Sequence, residues 1–183
     1  MNSIATERLL LRPFRLDDET AVHAYTSDPE VTRYTSWTPH TPAATRARLR
    51  AWVADQEHLP RTSIHLAIES REHRMAIGWA GFVSIDADRQ TGIFGYLLNR
   101  DFWGKGLASE AAAGLVRWGF TELNLHRVVA EVSAENVPST KILEKLGMRR
   151  EAHFRKNIMK DGEWRDTFLY ALLREEWQLR SDP

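Results

Sequence analysis

The chain of 183 residues has no cysteine, which excludes disulfide bridges, thiolate metal centres and a cysteine nucleophile and agrees with a reducing compartment. It also lacks net charge, with 25 Lys and Arg against 25 Asp and Glu. No global field would therefore hold a nucleic acid or an anionic membrane, and any anion site must be local. No apolar run approaches the ~20 residues of a membrane span, and Met1 to Arg15 has no apolar leader core. Internal repeats, low-complexity tracts and Gly/Ser-rich linkers are missing as well. The seven histidines show no paired zinc spacing, so no metal is expected. These absences leave a soluble, cytoplasmic protein, and the length suits one domain over residues 1–183.

What is present is a hydrophobic fraction of 43%, enough for a core, arranged with legible periods. Leu9, Leu10, Leu11 and Phe14 make a short apolar run within Glu7 to Arg15, and Asp17-Asp18-Glu19 then caps a first helix with an acidic turn. Thr41-Pro42 opens a second helix, which ends near His58-Leu59-Pro60. Strands follow at Ser63 to Glu69, Ala76 to Ile85 and Thr91 to Leu98, the last with Phe94, Tyr96 and Leu98 on one face. Leu107, Ala111, Leu115 and Trp118 form the buried stripe of a third helix over Gly106 to Leu123. Arg127 to Val132 reads as a strand, Asn136 and Pro138 open a fourth helix that stops at Gly147, and Arg150 to Phe154 and Thr167 to Leu172 flank an Asp161-Gly162 turn. The order βααβββαβαββ predicts a mixed α/β fold. It has an antiparallel first half and a β-α-β crossover in the second, giving about seven strands and four helices.

The segment Trp103-Gly104-Lys105-Gly106-Leu107-Ala108 lies between a strand and a long helix. Two glycines there free the backbone so that successive N–H groups converge on an anion at the positive end of the helix. An ordinary tight turn would use the same glycines. A Walker A loop needs four residues between its glycines, and here there is one. A dinucleotide fingerprint fits poorly, because Ser109 takes its last place and Asn99 to Phe102 separate strand from loop.

The segment resembles the acyl-CoA pyrophosphate loop of the GNAT acetyltransferases, with Gly106 and Ala108 in its last two specified places and Trp103 where Gln or Arg is usual. Its Trp-Gly-x-Gly form is similar to that of the branch of ribosomal-protein N-terminal acetyltransferases RimJ and RimL. Glu7-Arg8-Leu9-Leu10-Leu11-Arg12, Asp28-Pro29-Glu30-Val31, Gly95-Tyr96, Asn136-Val137-Pro138-Ser139 and Glu144-Lys145-Leu146-Gly147-Met148 resemble further segments of that branch in the same order. Nearly the whole chain is covered. The resemblance implies a GNAT fold and acetyl transfer from acetyl-CoA to a primary amine by direct attack, with a protein or peptide N-terminus as first acceptor and a small amine, amino acid or antibiotic as second. The rival readings are a CoA-binding module without catalysis and a nucleotide-binding protein.

By the same resemblance, the pyrophosphate would lie on the backbone from Gly104 to Ala108, including Leu107, with Lys105 adding charge and Trp103 flanking. The acyl arm would run past Leu98, the backbone N–H near Leu97 would face the reacting carbonyl, and Asn136 would bond the arm or simply cap its helix. Ser139 would protonate the leaving thiolate, since Leu143 stands where other GNAT enzymes place a tyrosine. Glu151 is the first candidate for the base, or a solvated charge, with Glu110 and Asp166 behind it. Tyr34 and Trp37, in a polar loop, would touch the acceptor. Trp79, Trp118 and Trp177 suit core packing, although an exposed face bearing Trp177 would support a homodimer.

Overall fold

The computed structural model describes residues 3–181. Its strands are β1 (Ile4–Ala5), β2 (Leu9–Pro13), β3 (Ile64–Ser70), β4 (Met75–Asp86), β5 (Thr91–Leu98), β6 (Arg127–Ser133), β7 (Arg149–Lys160) and β8 (Glu163–Leu173). The helices are α1 (Glu19–Thr26), α2 (Pro29–Thr32), α3 (Pro42–Asp55), α4 (Leu107–Thr121), α5 (Val137–Lys145) and α6 (Arg174–Ser181). All eight strands form one sheet in the order β1-β2-β3-β4-β5-β6-β8-β7. Every neighbouring pair is antiparallel except β5 and β6, which α4 joins as a crossover.

All seven strands expected from the sequence are present, and the eighth, β1, has two residues, too few to show a period. α2, with four residues, escapes for the same reason. α6 is polar in sequence, and the long hairpin β7–β8 outruns the expected strands because β7 is exposed along most of its length and carries no alternation to read.

The expected cap of α1 is not made, because the Asp18 carboxylate is taken by Arg12 and the Arg15 N–H, whereas two other helices are capped by side chains. The Thr41 side chain accepts from the Ala44 N–H at 3.2 Å, and Asp28 accepts from the Glu30 N–H at 2.8 Å. One face of the sheet packs Leu9, Leu66, Ile77 and Phe82 against Leu107, Ala111, Leu115 and Phe120 of α4. The other packs Ala67, Ala76 and Trp79 against Val22 and Tyr25 of α1 and Leu49 of α3. Burial of each such side chain contributes roughly 1.5–3 kcal/mol. At the rim of the second cluster, buried Arg12 donates through Nη1 and Nη2 to Asp18 at 2.8 and 2.7 Å, while its Nε faces Glu69.

Trp79 is buried, and Trp118 and Trp177 are half-buried against the first cluster. The Trp177 ring stacks on Phe120 at 5.3 Å, so the residue is only partly exposed. Exposed large apolar side chains include Leu179 of the same helix and Phe154, Met159 and Trp164 of the β7–β8 hairpin. No helix among the described residues is long and apolar enough to cross a membrane.

The sheet opens in its middle. β5 and β6 pair only from Thr91–Arg127 to Ile93–Val129. Beyond that point β5 continues to Leu98 and β6 to Ser133 without a shared ladder. A V-shaped gap is left in the middle of the sheet, with the N-terminus of α4 and the start of α5 at its mouth.

Candidate active site

Gly104 and Gly106 have φ of +74° and +77°, the left-handed region that costs a β-carbon-bearing residue about 1–2 kcal/mol. This turn makes Gly106 the N-cap of α4. The Trp103 N–H bonds to the Arg100 carbonyl and the Glu110 N–H to the Gly106 carbonyl. Between them, residues 104–109 present N–H groups with no acceptor among the described residues, at the positive end of a 15-residue helix. A β-carbon built on Gly104 would meet nothing within 4 Å. The loop is thus an open cradle suited to a phosphate-like anion.

The first strands brace this cradle. Arg8 donates through Nη1 to the Lys105 carbonyl at 2.9 Å and through Nε to Glu110 at 2.7 Å, and the Thr6 hydroxyl donates to Glu110 at 2.6 Å. Burial pushes the Glu110 carboxyl up, but Thr6 and Arg8 outweigh it and hold the group below the ordinary range. Glu110 is therefore a brace and not an available base. The Lys105 ammonium turns back to the Asp101 carbonyl at 3.0 Å and lies 5.2 Å over the Phe102 ring. The Trp103 indole N–H donates to the Leu98 carbonyl at 2.9 Å and ties the loop to the end of β5.

Register decides which main-chain groups face the gap. The Arg127 N–H donates to the Gln90 carbonyl, and the Asn99 N–H donates to the Ile77 carbonyl at 2.8 Å. With the β4–β5 register of Trp79 opposite Leu97, the alternation of a ladder directs the Leu97 N–H to β4. The N–H groups of Tyr96 and Leu98 point into the gap. The expectation of an open backbone N–H near Leu97 thus falls on its neighbours: the Leu97 amide is spent in the sheet, and those of Tyr96 and Leu98 are open. Glu131 and Ser133 face the gap from β6 by the same rule.

Side chains cross the mouth. Asn136 caps α5, its Oδ1 accepting from the Ser139 N–H at 3.2 Å. The Ser139 hydroxyl lies 2.8 Å from the Tyr96 hydroxyl, a link from the unpaired half of β5 to the helix after β6. Burial pushes the Tyr96 phenol up to about 12, with the Ser139 bond partly offsetting it. Tyr96 was legible in the sequence only as the inward face of a strand; nothing there showed its hydroxyl meeting Ser139. Leu143 is 1% exposed and belongs to the core.

Toward the other face, a cavity of about 350 Å³ is lined by Arg33, Tyr34, Thr35 and Ser36 from the loop after α2, by Glu131 and Ser133 of β6, and by Ile158, Lys160, Arg165 and Asp166 of the hairpin. Tyr34 therefore lines this cavity. Trp37 does not line this cavity: its ring packs against His40 at 6.0 Å, and its carbonyl accepts from Lys160 at 2.6 Å and from the Thr35 hydroxyl at 2.9 Å. Its place is behind the wall.

Glu151 is set apart. Its carboxylate pairs with Arg127 through both oxygens and is held below the ordinary range by that guanidinium. Arg127 begins β6 and Ser133 ends it, a rise of roughly 20 Å at ~3.3 Å per residue. A carboxylate that does line the cavity is Glu131, which the sequence showed only as part of a strand. Its Oε1 accepts from the Thr167 hydroxyl at 2.8 Å and the Asn157 amide at 3.2 Å. Asp166 is also there, but the Lys156 N–H and His153 engage its two oxygens and lower it.

Comparison with known proteins gives a consistent picture. Residues 8–149 match the model of the acetyltransferase (GNAT) domain. The uncharacterised N-acetyltransferase p20 of Bacillus licheniformis is 38% identical over 177 residues, covering 97% of this chain and 99% of that protein. The ribosomal protein uS5-alanine N-acetyltransferase of Escherichia coli is 26% identical over 137 residues, 74% of this chain and 70% of that one. Among solved structures, a GNAT-family acetyltransferase from Bacillus anthracis superposes with a TM-score of 0.84 at 35% identity, covering 96% of this chain and 100% of the other.

Proposed function

This chain belongs to the GNAT acetyltransferase family, and we propose that it acetylates the N-terminal amine of a protein or peptide, with the V-shaped gap as the acetyl-CoA channel and the cavity beside Glu131 as the acceptor site. The observation that carries this reading is the junction at the gap. Unshared amides of the 104–109 loop follow the end of β5, the Ser139–Tyr96 pair links the unpaired half of β5 to α5, and the cavity is lined from β6 by Glu131 and Ser133 beyond the point where the two parallel strands part.

Acetyl-CoA, when bound, supplies the activated acyl group. Its pyrophosphate suits the amides of Gly104 to Ala108, and its extended arm suits the unpaired edges of β5 and β6, much as an added strand would. Asn136 has its side-chain amide free for that arm while its oxygen caps α5. The Tyr96 and Leu98 N–H groups face the reacting carbonyl and stabilise developing negative charge. Ser139 gives its proton to the departing sulfur and is held for that task by Tyr96, which stays a hydroxyl at neutral pH because its ionisation lies near 12. Glu131, fixed at Oε1 by Thr167 and Asn157, takes the amine's proton at Oε2; Glu151 is not needed in this scheme.

The peptide acceptor draws on the Escherichia coli relative, which by its name acts on an alanine of a ribosomal protein. The open rim at Tyr34 to Ser36 leaves room for a chain to leave the cavity. An acetyl-CoA-dependent assay over N-terminal peptides, free amino acids and polyamines tests this assignment. Selective turnover of peptides is expected, and selective turnover of a small amine overturns the acceptor.

A further inference from the structure

Lys160 is not explained by the sheet or by acetyl transfer. It is 7% exposed and lines the acceptor cavity. Its ammonium has three N–H donors, of which one is used, on the Trp37 carbonyl at 2.6 Å. No carboxylate of the described residues comes within ion-pair distance, although buried cations are ordinarily paired. Arg165 adds a second cation on the same wall. Its Nη atoms reach Glu135 at 2.9 Å and Glu163 at 3.4 Å, while its Nε is buried without an acceptor. Of the two acids in the cavity, Asp166 is already bonded through both oxygens and Glu131 lies on the opposite strand, β6.

The cavity thus has a cationic wall with unused donors on the hairpin and one open carboxylate on β6. We infer that its acceptor carries a carboxylate, seated on Lys160 beside the Arg165 guanidinium, while its amine faces Glu131. The amine's fate rests on the acetyl-transfer reading given above; the anion seat rests on Lys160 and Arg165 alone. A carboxylate has two sources here: an acidic side chain next to a peptide N-terminus, or the acceptor's own carboxyl group.

Matched acceptors separate them. Rates of acetyl transfer are compared for alanyl-glutamyl-alaninamide against alanyl-glutaminyl-alaninamide, and for alanine against alaninamide, referred to the unprotonated amine. One charge-assisted contact predicts that the carboxylated member of one pair is favoured by about 10- to 100-fold in kcat/KM, and the pair that shows it names the source. The preference should fall toward unity in Lys160→Met and in Arg165→Gln. Because the readout is a ratio within one protein, a partly misfolded variant does not imitate the effect. No preference in either pair, or one that survives both substitutions, overturns the inference. Calorimetric titration of the same four compounds into CoA-saturated protein separates the two readings. Preferential binding without any transfer keeps the anion seat and refutes the enzymatic reading, whereas transfer without preference does the reverse. Neither transfer nor preferential binding refutes both.

Discussion

The hydroxyl pair at the mouth of the gap makes the sharpest prediction, through a cycle of Ser139→Ala, Tyr96→Phe and the double variant. The pair is a single 2.8 Å contact, so its loss destabilises the fold by about 1 kcal/mol, roughly 2–4 °C in Tm for a chain of this size. That is too little to unfold the protein at 25 °C, and any larger loss of activity is chemical. If Ser139 protonates the leaving sulfur, Ser139→Ala lowers kcat by about 10²- to 10⁴-fold. Tyr96 acts by holding that hydroxyl, so Tyr96→Phe costs about tenfold and adds nothing once Ser139 is gone, as expected of residues that work as a unit. Since Tyr96 ionises near 12, the native pH-rate profile has no limb from it between pH ~5 and ~10. Steady-state kinetics with release of the CoA thiol as the signal decide the matter. Full activity in Ser139→Ala, or effects that multiply in the double variant, would refute the assignment.

Other expectations follow from the same geometry. Glu131→Gln should lower kcat/KM by about 10²- to 10⁴-fold, whereas Glu151→Gln, paired with Arg127 away from the cavity, should leave the pH-rate profile of transfer unchanged; the reverse outcome would reinstate Glu151. Glu110→Gln removes the brace between Arg8 and the loop, and should cost about 1–3 kcal/mol, or roughly 2–12 °C in Tm, together with acetyl-CoA affinity. Glu110 is held below the ordinary glutamate range in the folded state, so its contribution is complete above that range and fades as pH falls through the lower, folded value; acid melts of native protein and Glu110→Gln should converge there. Arg12→Met strands Asp18 and Glu69 and should destabilise by about 3–5 kcal/mol in urea unfolding.

The strands and long helices were legible because each carries a period: Phe94, Tyr96 and Leu98 alternate along β5, and Leu107 to Trp118 repeat at helical spacing. The loop was legible because only glycine suits φ near +75° at residues 104 and 106. The gap was not, since β5 and β6 look like any other strands, and their parting after Ile93 and Val129 is a matter of pairing. The surroundings of Glu151 were hidden for the same reason. Glu151 follows Gly147-Met148 in sequence, but the order β6-β8-β7 sets it against Arg127 and brings Glu131 to the cavity. Which amide near Leu97 faces the gap was not legible, because the ladder's alternation depends on register. Trp37, in a polar loop, turned inward once Lys160 claimed its carbonyl.

Calorimetric titration of the purified protein with acetyl-CoA, CoA, NAD and ATP in parallel tests most directly whether the open loop and the parted strands form an acyl-CoA channel. Micromolar binding of acetyl-CoA and CoA, weakened in Glu110→Gln, is the predicted result. Preference for NAD or ATP, or no binding of acetyl-CoA, would contradict the account.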